Sequence, residues 1–230
     1  MSLFERTRLL LGEKGFQKLQ KAHVAVVGCG AVGGFAVEAL ARAGIGKLTL
    51  IDGDVVEESN INRQLCALHS TLNQYKTEIL KARIGDICVD TVVRTHPVFF
   101  NAENADELLA DVPDFGVDAI DIFKDKVALI LALQKNAIPF ISAMGAARKT
   151  DWRQIRVGGL NQTKMCPLAA RLRKELKKQG ADLSFPCVYS TEEPARAQNP
   201  GREMGSLVTI TGAFGLVIAN EVILRIARDV

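Results

Sequence analysis

The sequence lacks the features that mark a secreted, disulfide-bonded or zinc-binding protein. Its five cysteines include no C-x-x-C pair, the spacing typical of zinc knuckles. An odd number of scattered cysteines is typical of reduced thiols rather than of a disulfide framework. The first 21 residues are charged and lack the apolar core of a signal peptide. These absences favour a cytoplasmic protein.

A strong charge of one sign and an uninterrupted membrane span are also missing. The net charge of +3 is too small to indicate nucleic-acid binding by itself. The longest apolar stretch, residues 207–227, contains Asn220, Glu221 and Arg225. Because a charged side chain inside a membrane costs roughly 2.5–3.5 kcal/mol on insertion scales, we expect a buried or dimer-facing helix there and no membrane association.

What the sequence does contain is the composition of an ordinary globular domain. Hydrophobic residues make up 48% and charged residues 24% of its 230 residues, a normal balance for a globular protein with a sizeable core. This length suits one large domain, or one domain with an appended lobe.

Strands and helices alternate in the first part of the chain. The predicted strands are residues 23–28, 47–52, 91–98, 117–122 and 139–143. The predicted helices are residues 3–21, 31–43, 72–88 and 126–136. The first helix carries apolar residues that we expect to form one stripe: Leu9, Leu10, Phe16 and Leu19. Such alternation predicts an α/β fold, a Rossmann-like doubly wound and mostly parallel sheet.

The pattern changes near Gly145, where a C-terminal extension begins. It contains a predicted strand at 152–157, a basic helix at 167–179, and a loop rich in Pro, Gly and Asn at 192–205. We therefore divide the chain into a core of residues 1–147 and an extension of residues 148–230, packed on the same domain.

Three glycines connect the first predicted strand to the following helix. Gly28, Gly30 and Gly33 permit a tight turn and let backbone N–H groups approach a phosphate, and the helix N-terminus adds positive potential. Asp52 ends the next strand, where its carboxylate can accept both ribose hydroxyls. These residues predict a nucleotide site, but the glycines do not determine which nucleotide.

The residues after Asp52 favour a triphosphate. Arg63 offers a planar set of donors for phosphate oxygens, Asn60 can donate an amide hydrogen bond, and Lys76 supplies a second cation. Together with Gln64 they form a polar cluster that a hydride-transfer enzyme does not need. An NAD-binding module without adenylation would leave this cluster unexplained.

Two further carboxylates belong to the same region. Asp121 ends the predicted strand and offers a hard oxygen ligand for Mg²⁺. Asp54 either caps a turn or contributes to the site, and the sequence leaves both readings open. In a doubly wound sheet, groups at the carboxyl ends of the strands converge where ligands bind.

The order D-x-D-x-V-x-x-S-N-x-x-R-Q after G-x-G-x-x-G, followed by a lysine and a D-x-x-D, resembles a known family. It is similar to the ubiquitin-activating-enzyme-like adenylating enzymes, the ThiF/MoeB/HesA superfamily, over residues 6–147. Within it, the segments P-L-A-A-R-L-R at 167–173 and C-V-Y-S-T-E at 187–192 resemble the tRNA threonylcarbamoyladenosine dehydratases.

The resemblance implies an ATP-dependent enzyme with Mg²⁺ as cofactor. The family's nucleotide-binding positions fall on Gly28, Gly30, Gly33, Asp52, Asp54, Asn60, Arg63, Gln64 and Lys76. Its catalytic positions fall on Arg63, Lys76, Asp121 and Arg6, with Asp121 as the metal ligand. Arg6 matches an arginine that reaches the nucleotide site of a partner subunit, which implies a homodimer.

The implied reaction adenylates the threonyl carboxylate of threonylcarbamoyladenosine in tRNA and then closes a ring. The basic helix at 167–179 is then either a tRNA contact or an ordinary solvated face. The alternative is an adenylyltransferase that activates the C-terminus of a ubiquitin-like sulfur carrier. A cysteine-desulfurase or sulfur-acceptor partner is also implied; Cys187 is either a nucleophile or sulfur relay, or a small core residue.

Overall fold

The computed structural model describes residues 3–195 and 204–228. The strands are β1 (His23–Val27), β2 (Lys47–Ile51), β3 (Val92–His96), β4 (Phe115–Asp118), β5 (Phe140–Ala143), β6 (Ile155–Gly159) and β7 (Pro186–Ser190). The helices are α1 (Glu5–Lys21), α2 (Gly33–Ala43), α3 (Lys76–Ile87), α4 (Ala105–Leu108), α5 (Phe123–Lys135), α6 (Pro167–Lys178) and α7 (Val208–Arg228).

All seven strands belong to one sheet in the order β3-β2-β1-β4-β5-β7-β6. β6 runs antiparallel to β7, whereas the other neighbours are parallel. The predicted doubly wound, mostly parallel α/β fold is therefore confirmed. The direction of winding reverses between β1 and β4, so a crevice for ligands lies at the carboxyl ends of these two strands.

Two hydrophobic clusters cover the two faces of the sheet. Val26 belongs to the cluster under α1, α2, α3 and α7, whereas its neighbour Val27 belongs to the cluster under α4, α5 and α6. Successive side chains of a strand point to opposite faces. A central strand between two helical layers is therefore apolar at nearly every position, as the run H-V-A-V-V of β1 shows.

The apolar C-terminal stretch forms α7, which packs against α1 and α2. Phe214, Ile218 and Val222 are buried, and a Cβ on Gly215 would lie 2.3 Å from the Val32 carbonyl oxygen. Among the described helices, α7 is long and apolar enough to cross a membrane, and half of its most apolar window is buried. The stretch is therefore a helix with one buried face, and the contact of its exposed face with a second subunit stays a prediction.

The predicted stripe on the first helix is only half right. Phe16 and Leu19 are buried, but Leu9 and Leu10 are 75% and 83% exposed. Gly12 has non-helical dihedral angles (φ 74°, ψ 162°) and kinks α1 between these pairs. On the N-terminal side of the kink, Leu11 packs against the core instead of Leu9 and Leu10. A periodicity count along a straight helix does not detect this change.

The predicted element boundaries also shift next to the site. β4 ends at Asp118, so Asp121 lies in the turn beyond the strand and does not end it. The predicted strand at 152–157 is instead a 3₁₀ turn, Trp152–Gln154, followed by β6. Most of the predicted loop at 192–205 lies outside the described residues. The described part of the extension adds β6 and β7 to the same sheet, and the division at residue 147 stays a prediction.

Candidate active site

A cavity of about 590 Å³ lies at the carboxyl ends of β2, β1, β4 and β5. Most of the predicted site residues line it: Gly30, Asp52, Asp54, Asn60, Arg63, Gln64, Lys76 and Asp121. Gly28 and Gly33 are not among the residues that line the cavity. Arg6 is exposed on α1 and is not among the residues that line the cavity.

The three glycines of the loop have different roles. A Cβ on Gly28, which has φ 91°, would lie 2.6 Å from the Ala119 carbonyl oxygen. A Cβ on Gly33 would lie 1.8 Å from the Gly28 carbonyl oxygen. These two glycines permit close packing of backbone on backbone. The first atom that a Cβ on Gly30 would meet is Gln64 Nε2 at 3.8 Å, so Gly30 keeps the cavity wall open.

Asp52 connects the glycine loop to the segment that follows β2. Its carboxylate accepts hydrogen bonds from the backbone N–H groups of Cys29 (2.6 Å) and Asp54 (2.8 Å). Burial raises the pKa of Asp52, and these hydrogen bonds oppose the rise. Each carboxylate oxygen accepts one of these bonds and retains capacity for another, so the group can still accept ribose hydroxyls.

Lys76 and Asp54 form an ion pair on the cavity wall. Lys76 Nζ lies 2.7 Å from Asp54 Oδ2, and the two side chains are 5% and 51% exposed. The Lys76 backbone N–H also donates to the Asp54 carbonyl oxygen at 3.1 Å. Asp54 therefore positions the ammonium group, which lies at the first residue of α3, where the helix adds positive potential.

Asn60 and Arg63 are oriented by a 3₁₀ turn, Glu58–Asn60. The Asn60 side-chain oxygen accepts from the Glu57 backbone N–H at 3.1 Å. One terminal nitrogen of Arg63 donates to the Ser59 carbonyl oxygen at 2.8 Å. The Asn60 amide also donates to Ser59 Oγ at 3.3 Å, and Arg63 donates to Asn62 Oδ1 at 2.9 Å. Each side chain still has further N–H groups that a ligand can use.

Gln64 lies on the cavity wall beside Gly30. Its Oε1 atom is buried and has no hydrogen-bond partner within the described part of the chain. A buried polar atom without a partner typically costs about 1–3 kcal/mol. The amide is thus placed to hydrogen-bond a molecule inside the cavity, and its role in nucleotide binding stays a prediction.

A fully buried ion pair holds the turn that carries Asp121. Asp118 Oδ2 lies 2.8 Å from Lys126 Nζ and accepts from Ser142 Oγ at 2.5 Å. Asp118 Oδ1 accepts from the Ile120 backbone N–H at 3.2 Å, and Lys126 also donates to the Ile120 carbonyl oxygen at 3.0 Å. Sequence reasoning missed this network, because a lysine at the start of a predicted helix does not reveal its partner.

Asp121 is exposed and lines the cavity. Within residues 3–195 and 204–228, no group of three or more His, Cys, Asp or Glu side chains could hold a metal ion alone. Mg²⁺ is commonly bound by one or two carboxylates together with substrate phosphates. A single carboxylate beside a phosphate cradle fits that mode of binding.

The cavity continues past Asp121 to residues that sequence reasoning did not single out. Arg148, Lys149 and Cys166 line this end, with Pro167 at the start of α6. The ammonium of Lys149 donates to the Glu192 carbonyl oxygen. In the sequence, this end is indicated by the pair Arg148-Lys149 after β5 and by the start of the segment 167–173.

The basic helix α6 is not a uniformly solvated face. The Arg171 guanidinium lies 3.7 Å from the centre of the Phe123 ring, and Arg173 donates to the carbonyl oxygens of Leu160 (3.2 Å) and Thr163 (3.1 Å). These two arginines stabilise the fold. The exposed lysines of the helix remain for a partner: Lys174, Lys177 and Lys178.

Cys187 lies in the core under α5 and α6. Its thiol lies 3.3 Å from the Gly158 carbonyl oxygen, and burial raises its pKa to about 12. A thiol of this kind remains protonated at neutral pH, and the thiolate is the nucleophile. The structure therefore favours the core-residue interpretation of Cys187.

Known proteins share both this fold and this chain length. The ThiF family model matches residues 4–229. A tRNA threonylcarbamoyladenosine dehydratase of Bacillus subtilis (strain 168) is 33% identical over 242 residues, covering 99% of this chain and 95% of that protein. The crystal structure of E. coli tRNA N6-threonylcarbamoyladenosine dehydratase with AMP matches with a TM-score of 0.93 and 36% identity, covering 99% and 94% of the two chains. The same E. coli protein with ATP gives a TM-score of 0.92 at 36% identity, with the same coverage. The chain belongs to the ThiF family.

Proposed function

We propose that the protein is an ATP-dependent dehydratase that adenylates the threonyl carboxylate of threonylcarbamoyladenosine in tRNA and then cyclises it. The observation that carries this proposal is one cavity that joins the candidate nucleotide-site residues to an end lined by Arg148 and Lys149. The near full-length similarity to tRNA threonylcarbamoyladenosine dehydratases supports the choice of substrate.

ATP occupies the side of the cavity formed by the glycine loop and the segment after β2. The N-terminus of α2 and the loop N–H groups receive the phosphates, and Asp52 receives the ribose hydroxyls. Arg63 and Lys76 also line the cavity, and they stabilise the negative charge that develops at the α-phosphate. The ATP and AMP complexes of the E. coli relative support this assignment.

The first step forms a bond between a threonyl carboxylate oxygen and the α-phosphorus, and pyrophosphate leaves. In the second step the carbamoyl group attacks the activated carbonyl carbon, loses a proton and closes the ring, and AMP leaves with the carboxylate oxygen. The net change is the loss of one water. The protein contributes chiefly by positioning and by electrostatic stabilisation.

Mg²⁺ is part of the proposal, with Asp121 as its protein ligand. A bound magnesium ion neutralises phosphate charge and orients the phosphates. The Lys126–Asp118 pair holds the turn that presents Asp121 to the cavity.

We also propose a homodimer in which Arg6 of one subunit reaches the nucleotide site of the other. Arg6 is exposed, and α7 leaves Leu216 53% exposed, so both can contact a second copy. Residues 148–230 would then supply substrate and dimer contacts. Light scattering on the purified protein measures the oligomeric state, and mixing Arg6→Ala with Arg63→Ala chains tests whether the two subunits complement each other.

A cytoplasmic location and a cysteine-desulfurase or sulfur-acceptor partner stay predictions. All five cysteines are buried, so none offers an exposed thiol to a sulfur donor. The sulfur partner is therefore the weaker of these two predictions.

The deciding experiment incubates the purified protein with ATP, Mg²⁺ and tRNA that carries threonylcarbamoyladenosine. We expect AMP, pyrophosphate and a nucleoside lighter by one water, read by mass spectrometry. Unmodified tRNA and omission of ATP are the controls. AMP exchange with the Gly-Gly terminus of a sulfur-carrier protein, without turnover of tRNA, would favour the carrier-activating alternative.

A further inference from the structure

The cavity extends along the edge of the sheet beyond the residues predicted to hold the nucleotide. The strand order places the ends of β2, β1, β4 and β5 next to one another. At about 4.8 Å per strand, the ends of β2 and β5 lie roughly 14 Å apart. The predicted nucleotide residues crowd the β2 and β1 end, so a second group can occupy the β5 end beside the triphosphate.

The far end of the cavity is cationic. Arg148 and Lys149 line it, together with Met144, Cys166 and Leu168. Among the described residues, no Asp or Glu lines this end; the lining carboxylates lie at the nucleotide end and on the turn after β4. Two cations in a pocket without a lining acid favour an anionic ligand.

Arg148 is held in an uncommon backbone conformation. Its φ of 58° lies in the left-handed region, which non-glycine residues adopt in only a few per cent of cases. Of the described non-glycine residues with positive φ, Arg148 is the one that lines the cavity. Its N–H donates to the Gly205 carbonyl oxygen and its carbonyl oxygen accepts from the Ala195 N–H, both at 2.9 Å. Two separate chain segments therefore enforce this conformation.

Lys149 is buried, and a clamp centred on Glu192 holds it. The Lys149 ammonium donates to the Glu192 carbonyl oxygen. The Glu192 carboxylate accepts from the Thr150 N–H, the Thr150 hydroxyl and the Asp151 N–H, each at 3.0 Å. Burial lowers the pKa of Lys149, so an anion beside the amine would stabilise its charged form.

We propose that Arg148 and Lys149 form a second anion subsite, which binds an anionic oxygen group of the tRNA substrate beside the ATP site. This inference rests on the proposed function and assigns the residues that bring the substrate to the α-phosphate. The carboxylate and the phosphate repel each other, and cations next to the carboxylate offset this repulsion. The anion is either the threonyl carboxylate or a tRNA backbone phosphate.

Binding measured without ATP distinguishes these two sources. The dissociation constants of wild type and Lys149→Met are compared for tRNA with and without the threonylcarbamoyl group. We expect Lys149→Met to weaken binding of the modified tRNA about tenfold, the size of one charged hydrogen bond. If only the modified tRNA loses affinity, the subsite binds the threonyl carboxylate. If both tRNAs lose affinity equally, it binds a backbone phosphate. Unchanged binding of both overturns the subsite.

Two further variants keep the test decisive. Arg148→Gly removes the second cation and suits the left-handed backbone, so it replaces Lys149→Met if that protein does not fold. Lys81→Met, at an exposed lysine on α3 outside the cavity lining, is the matched control. ATP affinity is expected to be unchanged in the Lys149 and Arg148 variants, which separates loss of the subsite from loss of the fold.

Failure of this inference can be told from failure of the proposed function. If wild type removes water from modified tRNA and both cation variants bind tRNA as wild type does, only the subsite is wrong. If wild type itself makes no AMP with modified tRNA, the proposed function is wrong.

Discussion

Two lysine–aspartate pairs lie at the same edge of the sheet, and their surroundings differ. Lys76–Asp54 joins at 2.7 Å on the open cavity wall, with Asp54 51% exposed. Lys126–Asp118 joins at 2.8 Å in the core behind the cavity, with both side chains 0% exposed. The distances are nearly equal, so distance alone does not distinguish a group that can meet a ligand from one that holds the fold.

Solvent access makes the difference. Asp54 retains hydration, so Lys76 can give up part of its interaction with Asp54 for a phosphate at a small cost in free energy. Asp118 and Lys126 are out of contact with water, so water cannot take the place of either partner. Ser142 and the Ile120 backbone complete their hydrogen bonds. We therefore expect the open pair to affect chemistry and the buried pair to affect stability.

The largest expected effect is that of Lys126→Met on stability. Removing one partner of a buried pair leaves an uncompensated charge, which typically costs about 3–5 kcal/mol. Urea denaturation should show this loss. Lys76→Met should lose less, because its partner Asp54 is 51% exposed and stays hydrated when the ammonium is removed. Equal losses for the two variants would contradict the comparison.

Arg63→Ala should reduce AMP formation with modified tRNA and ATP about 100- to 1000-fold, the typical effect of removing one donor that stabilises transition-state charge. Arg63 is half-buried on the cavity wall, so its melting temperature should stay close to that of wild type. The matched control is Arg42→Ala, whose guanidinium pairs with Glu38 on the surface. If Arg63→Ala turned over at the wild-type rate, Arg63 would have no role in adenylation.

Asp121→Asn should raise the Mg²⁺ concentration needed for half-maximal AMP formation by at least about tenfold, because even indirect contacts to a metal change affinity by about 10- to 100-fold. A magnesium titration of initial rates measures this shift. Asp106→Asn, in a surface pair with Lys135, is the control. If Asp121→Asn keeps the wild-type magnesium dependence, the metal is held by other groups.

The smallest effect expected at neutral pH concerns Cys187, which lies on the buried side of the comparison. Its pKa rises from 9.0 to about 12 in the folded protein. Between these values the unfolded chain loses the thiol proton and the folded chain keeps it, so stability should fall as pH rises from 9 to 12. Cys187→Val should flatten this fall in the free energy of unfolding and should retain AMP formation. Loss of AMP formation in a folded Cys187→Val protein would restore the nucleophile hypothesis.

Local pattern predicted the fold because strand and helix periodicities are properties of short segments. The core strands β1, β2 and β5 appear in the sequence as apolar runs, since both of their faces are covered. Two local predictions were wrong: the apolar stripe of α1, where Gly12 kinks the helix, and the end of β4. There the Asp118 carboxylate accepts the Ile120 N–H and a turn begins.

The candidate site also has one part that the sequence could predict and one that it could not. Its nucleotide side comes from nearly contiguous residues, Gly28 to Lys76, so their spacing could be compared with a known family. The far end joins Arg148 and Lys149 to Cys166 and Glu192, which are distant in the sequence. No short pattern could have predicted that contact.

By itself the sequence determined the class of fold, the candidate residues for a nucleotide site and the resemblance to adenylating enzymes, because each depends on residue types at short spacing. Only the tertiary structure decided which groups open onto the cavity. It placed Lys76 on the cavity wall and Lys126 in the core, and it separated Gly30 from Gly28 and Gly33. Burial is a property of the packed chain, since it depends on neighbours that the sequence places far apart.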